Sequence, residues 1–532
     1  SMSASFGEQP NKTIPINKQL RNTHILQREP TWSVYHGVGT LAGHVSVFVM
    51  KWFWMLVVAC VWPGCDAQPP QTASTPVASR SPSVLVVVLD TVRSDKLSAY
   101  GYDKPTTPQL DQVARAGVTF EDVTAPSPWT WPSHASLFTG KGPWEHGAHA
   151  STSEQGVGLA GGHWGLMPMR TDLKTLAEWF SEAGYRTMSL ASNRFLDPKL
   201  GLTRGFEVAE TMHDHALAKR AVSEIDNADP RPLFMFVNIL LAHAPWEVYP
   251  APWSMQYMER LRSEETAPEW ARGYLMKSTP GIDFYETAPG NDRGGYRMLM
   301  SGQLTIPSSD MVMLEDLYTG GITAADYLLH QILEQWTQTH PDGVVVVTSD
   351  HGEYLGEHGL WDHGKTVYSQ VVQVPLVMAA PGRLDGGKRI QTPVQLQDLY
   401  DTLLDLVDLH DNTPHSLLPV IDGKNRPGPI LAKAYASRAW KEGFGGRFAH
   451  DWTLYREDDW ALVSNSGGSR QLYNLADDPG MLRDLAQGQA ERVQAMAPLS
   501  DAAFPESAPG DTQLEMSPDM IEELKALGYL EE

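Results

Sequence analysis

Val84–Asp90 (VLVVVLD) is an unbroken apolar, β-branched run, the pattern of a strand covered on both faces. Pro232–Leu241, Gly343–Ser349 and Val374–Ala380 repeat the pattern. Between them, apolar residues recur at helical spacing over Thr107–Ala116, Thr171–Gly184, Met212–Ala228 and Met313–Trp336. Strands alternating with helices predict an α/β fold, a large mixed, mostly parallel central sheet flanked by helices. Residues 246–310 break the rhythm, being irregular and rich in Trp, Tyr, Met, Pro and Gly. That stretch is too long for a plain loop and reads as an insertion that selects the substrate. Trp246, Tyr249, Trp253, Tyr257 and Trp270 either line an apolar or sugar-binding pocket there or form the insertion's own core. From about residue 410 the runs shorten. Strand patterns at 430–436, 451–456, 459–464 and 471–474 predict a small antiparallel sheet, and Pro518–Leu527 a closing helix. The domain limits that follow are 84–409 for the main domain and 410–532 for a C-terminal subdomain.

The N-terminal region has a different character. Val45–Gly64 is apolar except for Ser46 and Lys51. Residues 50–65 read as a short basic start, an apolar Trp52–Trp62 stretch and then Pro63-Gly64-Cys65. This pattern resembles a bacterial lipoprotein signal with Cys65 as the lipidated residue, or else an uncleaved membrane anchor. A start at Met50 makes residues 1–49 a non-native or unstructured extension. Residues 66–83, rich in Pro, Ser, Thr, Ala and Gln, read as a flexible linker. Either reading exports the folded body and tethers it to a membrane, facing the periplasm or cell surface.

Composition narrows the chemistry. Of 532 residues, 41 are Lys or Arg and 64 are Asp or Glu, a net charge of −23. That balance argues against nucleic acid as a partner, because phosphate backbones demand clustered cations. The two cysteines, Cys60 and Cys65, both lie in the N-terminal segment. The folded body therefore has no disulfide, no Cys-ligated metal and no cysteine nucleophile.

Polar residues gather where the apolar runs end, which is where α/β sheets bind ligands. The first run ends in Asp90, the second leads to His243, and the third ends in Ser349-Asp350-His351-Gly352. A Thr-bearing turn, TWPSHASLFTG over 130–140, lies between the first two. One Asp at a strand end is ordinarily a turn or cap residue. Two carboxylates and an imidazole delivered together make a divalent-cation site. Asp326 and His330, four apart on a helix, read as a surface pair.

These strings resemble the sulfatase family of the alkaline-phosphatase superfamily, over nearly all of Val84–Glu532. Asp90-Thr-Val-Arg-Ser-Asp95 with Tyr100-Gly101 is similar to that family's first metal-ligand segment. Thr130-Trp-Pro132-Ser-His134 with Leu-Phe-Thr-Gly140 resembles its nucleophile signature, Cys-x-Pro-x-Arg followed by Leu-x-Thr-Gly. Ser349-Asp-His-Gly-Glu, Gly356-Glu-His-Gly, Gly364-Lys365, Tyr368 and Val374-Pro375 resemble its second metal block, and Leu472-Tyr-Asn-Leu-Ala-Asp-Asp-Pro479 its closing strands. The resemblance implies a metal held by Asp90, Asp350, His351 and the Thr130 oxygen, one or two ions in all. It places Thr130 as nucleophile, His243 at the leaving oxygen and Lys365 on the transferred group. Asn193, Asp362, His363 and His358 are candidates for a second metal or for substrate.

The departures from the family pattern are chemical. Sulfatases oxidise the signature Cys, or sometimes Ser, to formylglycine, a route closed to Thr130. An unmodified Thr can attack phosphorus, and water can then open the phospho-Thr. His134 stands where sulfatases place Arg, as a proton-transfer group or a second-site ligand. Thr91 replaces a second Asp ligand, and His351 replaces the Asn of calcium-type sulfatases. An imidazole ligand favours zinc or manganese over calcium. In these respects the chain is most similar to phosphonate monoester hydrolases and phosphodiesterases. The expected function is hydrolysis of small-molecule, lipid or sugar phosphoesters, phosphodiesters or phosphonate monoesters foremost. The alternatives are a sulfate-ester hydrolase working without formylglycine and a degenerate sulfatase fold that only binds.

Overall fold

The computed structural model describes residues 81–505, apart from 152–165, 247–248, 262–265, 269, 272–293 and 411–412. The lipoprotein-like segment, nearly all of the linker and the expected helix Pro518–Leu527 lie outside the described residues. Among the described residues no helix is long and apolar enough to cross a membrane.

The main sheet has eight strands: β1 (Val84–Leu89), β2 (Val118–Phe120), β3 (Arg186–Ala191), β4 (Val208–Thr211), β5 (Leu233–Ile239), β6 (Val344–Thr348), β7 (Leu376–Ala379) and β8 (Lys388–Ile390). Their order is β8-β2-β7-β6-β1-β5-β3-β4. Only β7 runs against the rest, pairing antiparallel with both β6 and β2. The sheet is mixed and mostly parallel, as the run pattern predicts. β1 lies at the centre, and all six of its residues are buried. Each such aliphatic side chain contributes roughly 1.5–3 kcal/mol relative to exposure.

Register decides what this sheet presents. β1 pairs in parallel with β5 and β6, matching Leu89 to Ile239 and Val88 to Thr348. β3 pairs with β5, matching Ala191 to Asn238. The residues that follow β1, β3, β5 and β6 therefore emerge along one edge of the sheet. The linker joins this sheet earlier than its composition suggests. The Ser83 carbonyl accepts from Val344 N and its hydroxyl accepts from Leu233 N.

The helices that matter to the site and the packing around it are α1 (Pro108–Ala116), α2 (Thr130–Thr139), α3 (Leu176–Glu182), α4 (Asp214–Ile225), α5 (Ser308–Thr339), α6 (Asp398–Leu406) and α7 (Ala490–Ala503). α3 starts on a capping box in which Thr175 accepts from Glu178 N and Glu178 accepts from Thr175 N. α5 passes close behind the end of β5. A Cβ on Gly321 would stand 2.6 Å from the Leu241 carbonyl oxygen, so glycine is what permits that approach.

One expectation needs correction. Asp326 is not on the surface. It is buried on α5, and its carboxylate accepts from Gln109 N (2.9 Å) and Leu110 N (3.0 Å) at the start of α1. The periodicity of α5 could not show that a second helix end lies against that residue. Burial raises its pKa to about 7, against the pull of the two amides. The folded chain thus holds a proton that the unfolded chain releases, so this contribution to stability is full at low pH. It declines as pH rises from the ordinary 3.8 toward 7. Asp326→Asn is expected to flatten the dependence of Tm on pH in that window. An unchanged slope in scanning calorimetry would assign it to other groups.

The insertion aromatics take the second of their two readings and are largely core. Trp246 is fully buried and donates to the Ala242 carbonyl, and Trp270 donates to Asp310. Tyr257 donates to Asp316, and Tyr249 is buried. Indole and phenol groups inside a protein need polar partners, and α5 supplies two of them.

The C-terminal strands β9 (Ile430–Ala434), β10 (Trp452–Glu457), β11 (Trp460–Asn465) and β12 (Arg470–Asn474) form an antiparallel sheet in chain order. Their alternation sorts the two faces. Leu454, Ala461, Val463 and Tyr473 join the main core. Tyr455, Leu462 and Leu472 pack with Met496 and Ala497 of α7, a helix the sequence reading does not anticipate.

Candidate metal and nucleophile site

Asp90 follows β1 directly and is completely buried. Its Oδ2 accepts from Asn193 Nδ2 (3.0 Å), beyond β3, and from Asn238 Nδ2 (2.9 Å), within β5. Asn238 is the one polar residue in an otherwise apolar strand, and that break was the signal by which the sequence could have revealed it. The chain then turns sharply at Thr91, whose φ of 60° is unusual for a β-branched residue. Its amide donates to Asp350 Oδ1 (3.2 Å), and its carbonyl accepts from the Tyr318 hydroxyl (2.7 Å). Thr91 thus acts through its backbone in a place where the resemblance implies a carboxylate ligand.

Asp350 and His351 follow β6. Asp350 Oδ1 also accepts from His351 N (3.0 Å). His351 Nδ1 donates to the Gly352 carbonyl (3.0 Å), which leaves the Nε2 lone pair for the site. That Nε2 lies 3.2 Å from Thr130 Oγ1 and 3.3 Å from Asp350 Oδ2. Thr130 opens α2 rather than sitting in a turn, so its hydroxyl stands at the positive end of a ten-residue helix. Asn193 Nδ2 also donates to this hydroxyl (3.2 Å), so one amide group ties Asp90 to Thr130. One donor atom each from Asp90, Asp350 and His351 lie within 4.8 Å of one another.

The charge state of this group calls for a cation. Asp90 Oδ1 and Asp350 Oδ2 are buried without a hydrogen-bond partner. An ionised oxygen left so is costly unless a cation meets it. Burial and the neighbouring Asp350 push Asp90 well above the usual carboxylate range. Burial pushes Asp350 up too, but His351 and His134 bring it below its ordinary value. Burial lowers His351 to about 4, so its imidazole is neutral and able to ligate. The donor set of two carboxylates, an imidazole and a hydroxyl fits a divalent cation.

The remaining expected residues divide. His243 and His363 join the site: the His363 ring lies 4.4 Å from that of His351 and 4.9 Å from that of His243. Burial and His363 lower His243 to about 3, so it is neutral. Asp362 comes with His363, its Oδ1 2.9 Å from His363 Nδ1. Lys365 lies next to this pair. Its buried ammonium is held by Asp362 Oδ2 (2.5 Å) and the His363 carbonyl (2.7 Å), with the Trp440 ring beneath it. His134 lies behind the site. Its Nδ1 bonds the Thr130 carbonyl (3.0 Å), stands 3.5 Å from Asp350 Oδ2, and its ring meets Phe236 edge-on. Burial lowers its pKa, so it steadies Asp350 as a neutral group. His358 stacks on Tyr368 at 3.9 Å and is not among the donors. Glu353, absent from the sequence expectations, is completely buried beside His363. Its place in the Ser-Asp-His-Gly-Glu string was the available signal.

Residues 82–409 match the family model described as Sulfatase. The chain belongs to the sulfatase family. A protein described as a sulfatase from Formosa agariphila is 23% identical over 474 residues, covering 80% of this chain and 87% of its own. The Delta 4,5-hexuronate-2-O-sulfatase of Bacteroides thetaiotaomicron is 22% identical over 445 residues, covering 77% and 85%. The crystal structure of the phosphonate monoester hydrolase of Agrobacterium radiobacter aligns with a TM-score of 0.58 at 20% identity, covering 80% of this chain and 95% of that one. This sulfatase-family chain thus shares its fold with proteins named for sulfate and for phosphonate esters.

Proposed function

We propose that this sulfatase-family protein is an exported, metal-dependent hydrolase of phosphoesters that uses unmodified Thr130 as its nucleophile. Phosphodiesters and phosphonate monoesters are the favoured substrates. The observation that carries the reading is a buried threonine hydroxyl at the start of α2, 3.2 Å from His351 Nε2, where sulfatases require an oxidisable cysteine or serine. Asp90, Asp350, His351 and Thr130 would hold the ion, which supplies Lewis-acid polarisation of the hydroxyl and of the ester.

The chain's own groups do the rest. Thr130 Oγ1 gives up its proton to solvent and attacks phosphorus as the bond to the leaving oxygen breaks, with Asn193 and the α2 N-terminus favouring its negative charge. His243, neutral, hydrogen-bonds the leaving oxygen. Water then attacks phosphorus, the bond to Thr130 breaks, and a proton from the water restores the Thr130 hydroxyl. The signal-like residues 50–65 support export and tethering through Cys65 or an anchor.

Membership of the sulfatase family favours one rival, a sulfate-ester hydrolase that dispenses with formylglycine. Matched aryl phosphodiester, phosphomonoester, phosphonate and sulfate esters, assayed on the metal-loaded chain, separate the two. Turnover is expected to be fastest on a phosphodiester or phosphonate. Sulfate turnover faster than both would reject the phosphoester assignment.

A further inference from the structure

A second set of buried donors lies beside the first. Glu353, Asp362 and His363 each offer one ligand atom, all within 4.8 Å of one another. His363 Nδ1 stands 2.9 Å from Asp362 Oδ1 and 3.3 Å from Glu353 Oε1. Two donors bound at about 2.1 Å to one ion, at 90–110° to each other, are separated by roughly 3.0–3.4 Å. The first set has the same spacing, 3.3 Å and 3.2 Å around His351 Nε2. It also shares the feature that suits a cation, because Glu353 Oε2 is buried with no hydrogen-bond partner, like Asp90 Oδ1 and Asp350 Oδ2. The backbone is strained to deliver these groups. Asp362 takes a φ of 62°, a region non-glycine residues rarely occupy and one that clusters at functional sites.

We propose that Glu353, Asp362 and His363 form a second divalent-cation seat, for an ion of the zinc or manganese class. One imidazole and two carboxylates are donors of that class. Two carboxylates against the Lys365 ammonium leave a net negative charge for the ion to meet. On this reading Lys365 is a positioning residue. By holding Asp362 Oδ2, it directs Oδ1 toward His363. The ion takes the His363 Nδ1 lone pair that a proton would otherwise occupy, so binding releases a proton. The competing arrangement is an ion-free network in which a protonated His363 bridges the two carboxylates.

Metal counting decides between them. The metal-stripped full chain is titrated with Zn²⁺ or Mn²⁺, and bound metal is measured by plasma mass spectrometry. Two ions per chain are expected. Glu353→Gln and Asp362→Asn should each lose one and keep the other, and Asp90→Asn should lose the first. A single ion, lost in Asp90→Asn and retained in Glu353→Gln, overturns the proposal in favour of the protonated network. Should the variants misfold by circular dichroism, anomalous diffraction from the manganese-loaded wild-type chain decides alone. One peak at Asp90 overturns the proposal, and a second peak within bonding distance of Glu353 and His363 supports it. The count stands whichever ester is cleaved. Failure of the Thr130 reading would show separately, as turnover surviving Thr130→Ala.

Discussion

Thr130→Ala is expected to lower phosphoester turnover by about 10³-fold or more, with the fold and the metal site at Asp350 and His351 retained. At 1.36 kcal/mol per tenfold, that is a loss of about 4 kcal/mol or more of transition-state stabilisation. The reason is that, among the described residues, no other hydroxyl is bonded to His351 Nε2. Thr130 Oγ1 is the oxygen set at the start of α2 between His351 Nε2 and Asn193 Nδ2. Alanine keeps the helix, since Thr130 helps form α2 chiefly through its backbone. Thr130→Ser keeps the hydroxyl and should retain far more activity than alanine. A second readout is covalent. During turnover of a slow substrate, rapid acid quench and peptide mass spectrometry should find a phosphoryl group on Thr130. Full activity in Thr130→Ala would remove the hydroxyl from the mechanism and leave a directly activated water as the nucleophile.

Removing the metal should have an effect of the same size. Dialysis against a chelator is expected to cost about 10³-fold or more in rate, because a nucleophilic hydroxyl near neutral pH depends on a cation to lower its pKa. Zinc or manganese should restore activity better than calcium, since His351 gives the site an imidazole ligand. Chelation should also lower Tm. An ion present at a thousandfold its Kd stabilises the folded state by about 4 kcal/mol. The pH dependence has a definite sign. Burial and Asp350 raise the Asp90 pKa, so in the ion-free chain Asp90 keeps a proton to higher pH than an ordinary carboxylate, and metal binding competes with that proton. Metal affinity should therefore rise with pH through the Asp90 titration and weaken in acid. Isothermal titration at several pH values measures this. Undiminished turnover after verified metal removal would reject metal dependence.

The two predictions rest on residues of unequal legibility. Asp90, Asp350 and His351 could be read because they end buried apolar runs, and the end of a strand in an α/β sheet is a binding position whatever the neighbours are. Thr130 could be read from its string, but not as the first residue of a helix. Pro132 and His134 mask the helical pattern of 130–139, and every residue of α2 is buried, so no polar face marks it. Lys365 could be read from its place in the string, but its partners, the Asp362 carboxylate and the Trp440 ring, could not. The insertion aromatics were ambiguous for a related reason. A Trp is equally at home lining a pocket or filling a core, and only Ala242 and Asp310 as partners decide it.

The sequence by itself determined the α/β class, the four central strands, the C-terminal sheet, the absence of cysteine from the body, and the donors at the strand ends. Those features follow from local periodicity and residue chemistry, which need no knowledge of distant neighbours. Only the tertiary structure decided which donors meet. Asn238 reaches Asp90 because β5 lies beside β1 in parallel register, 148 residues away in the chain. Asp326 is buried because α1 begins against α5, and Glu353, Asp362 and His363 converge because Tyr354–Leu355 pairs antiparallel with Trp361–Asp362. Strand order and helix packing bring residues far apart in the chain within 3 Å, and periodicity along the chain carries no record of such distances.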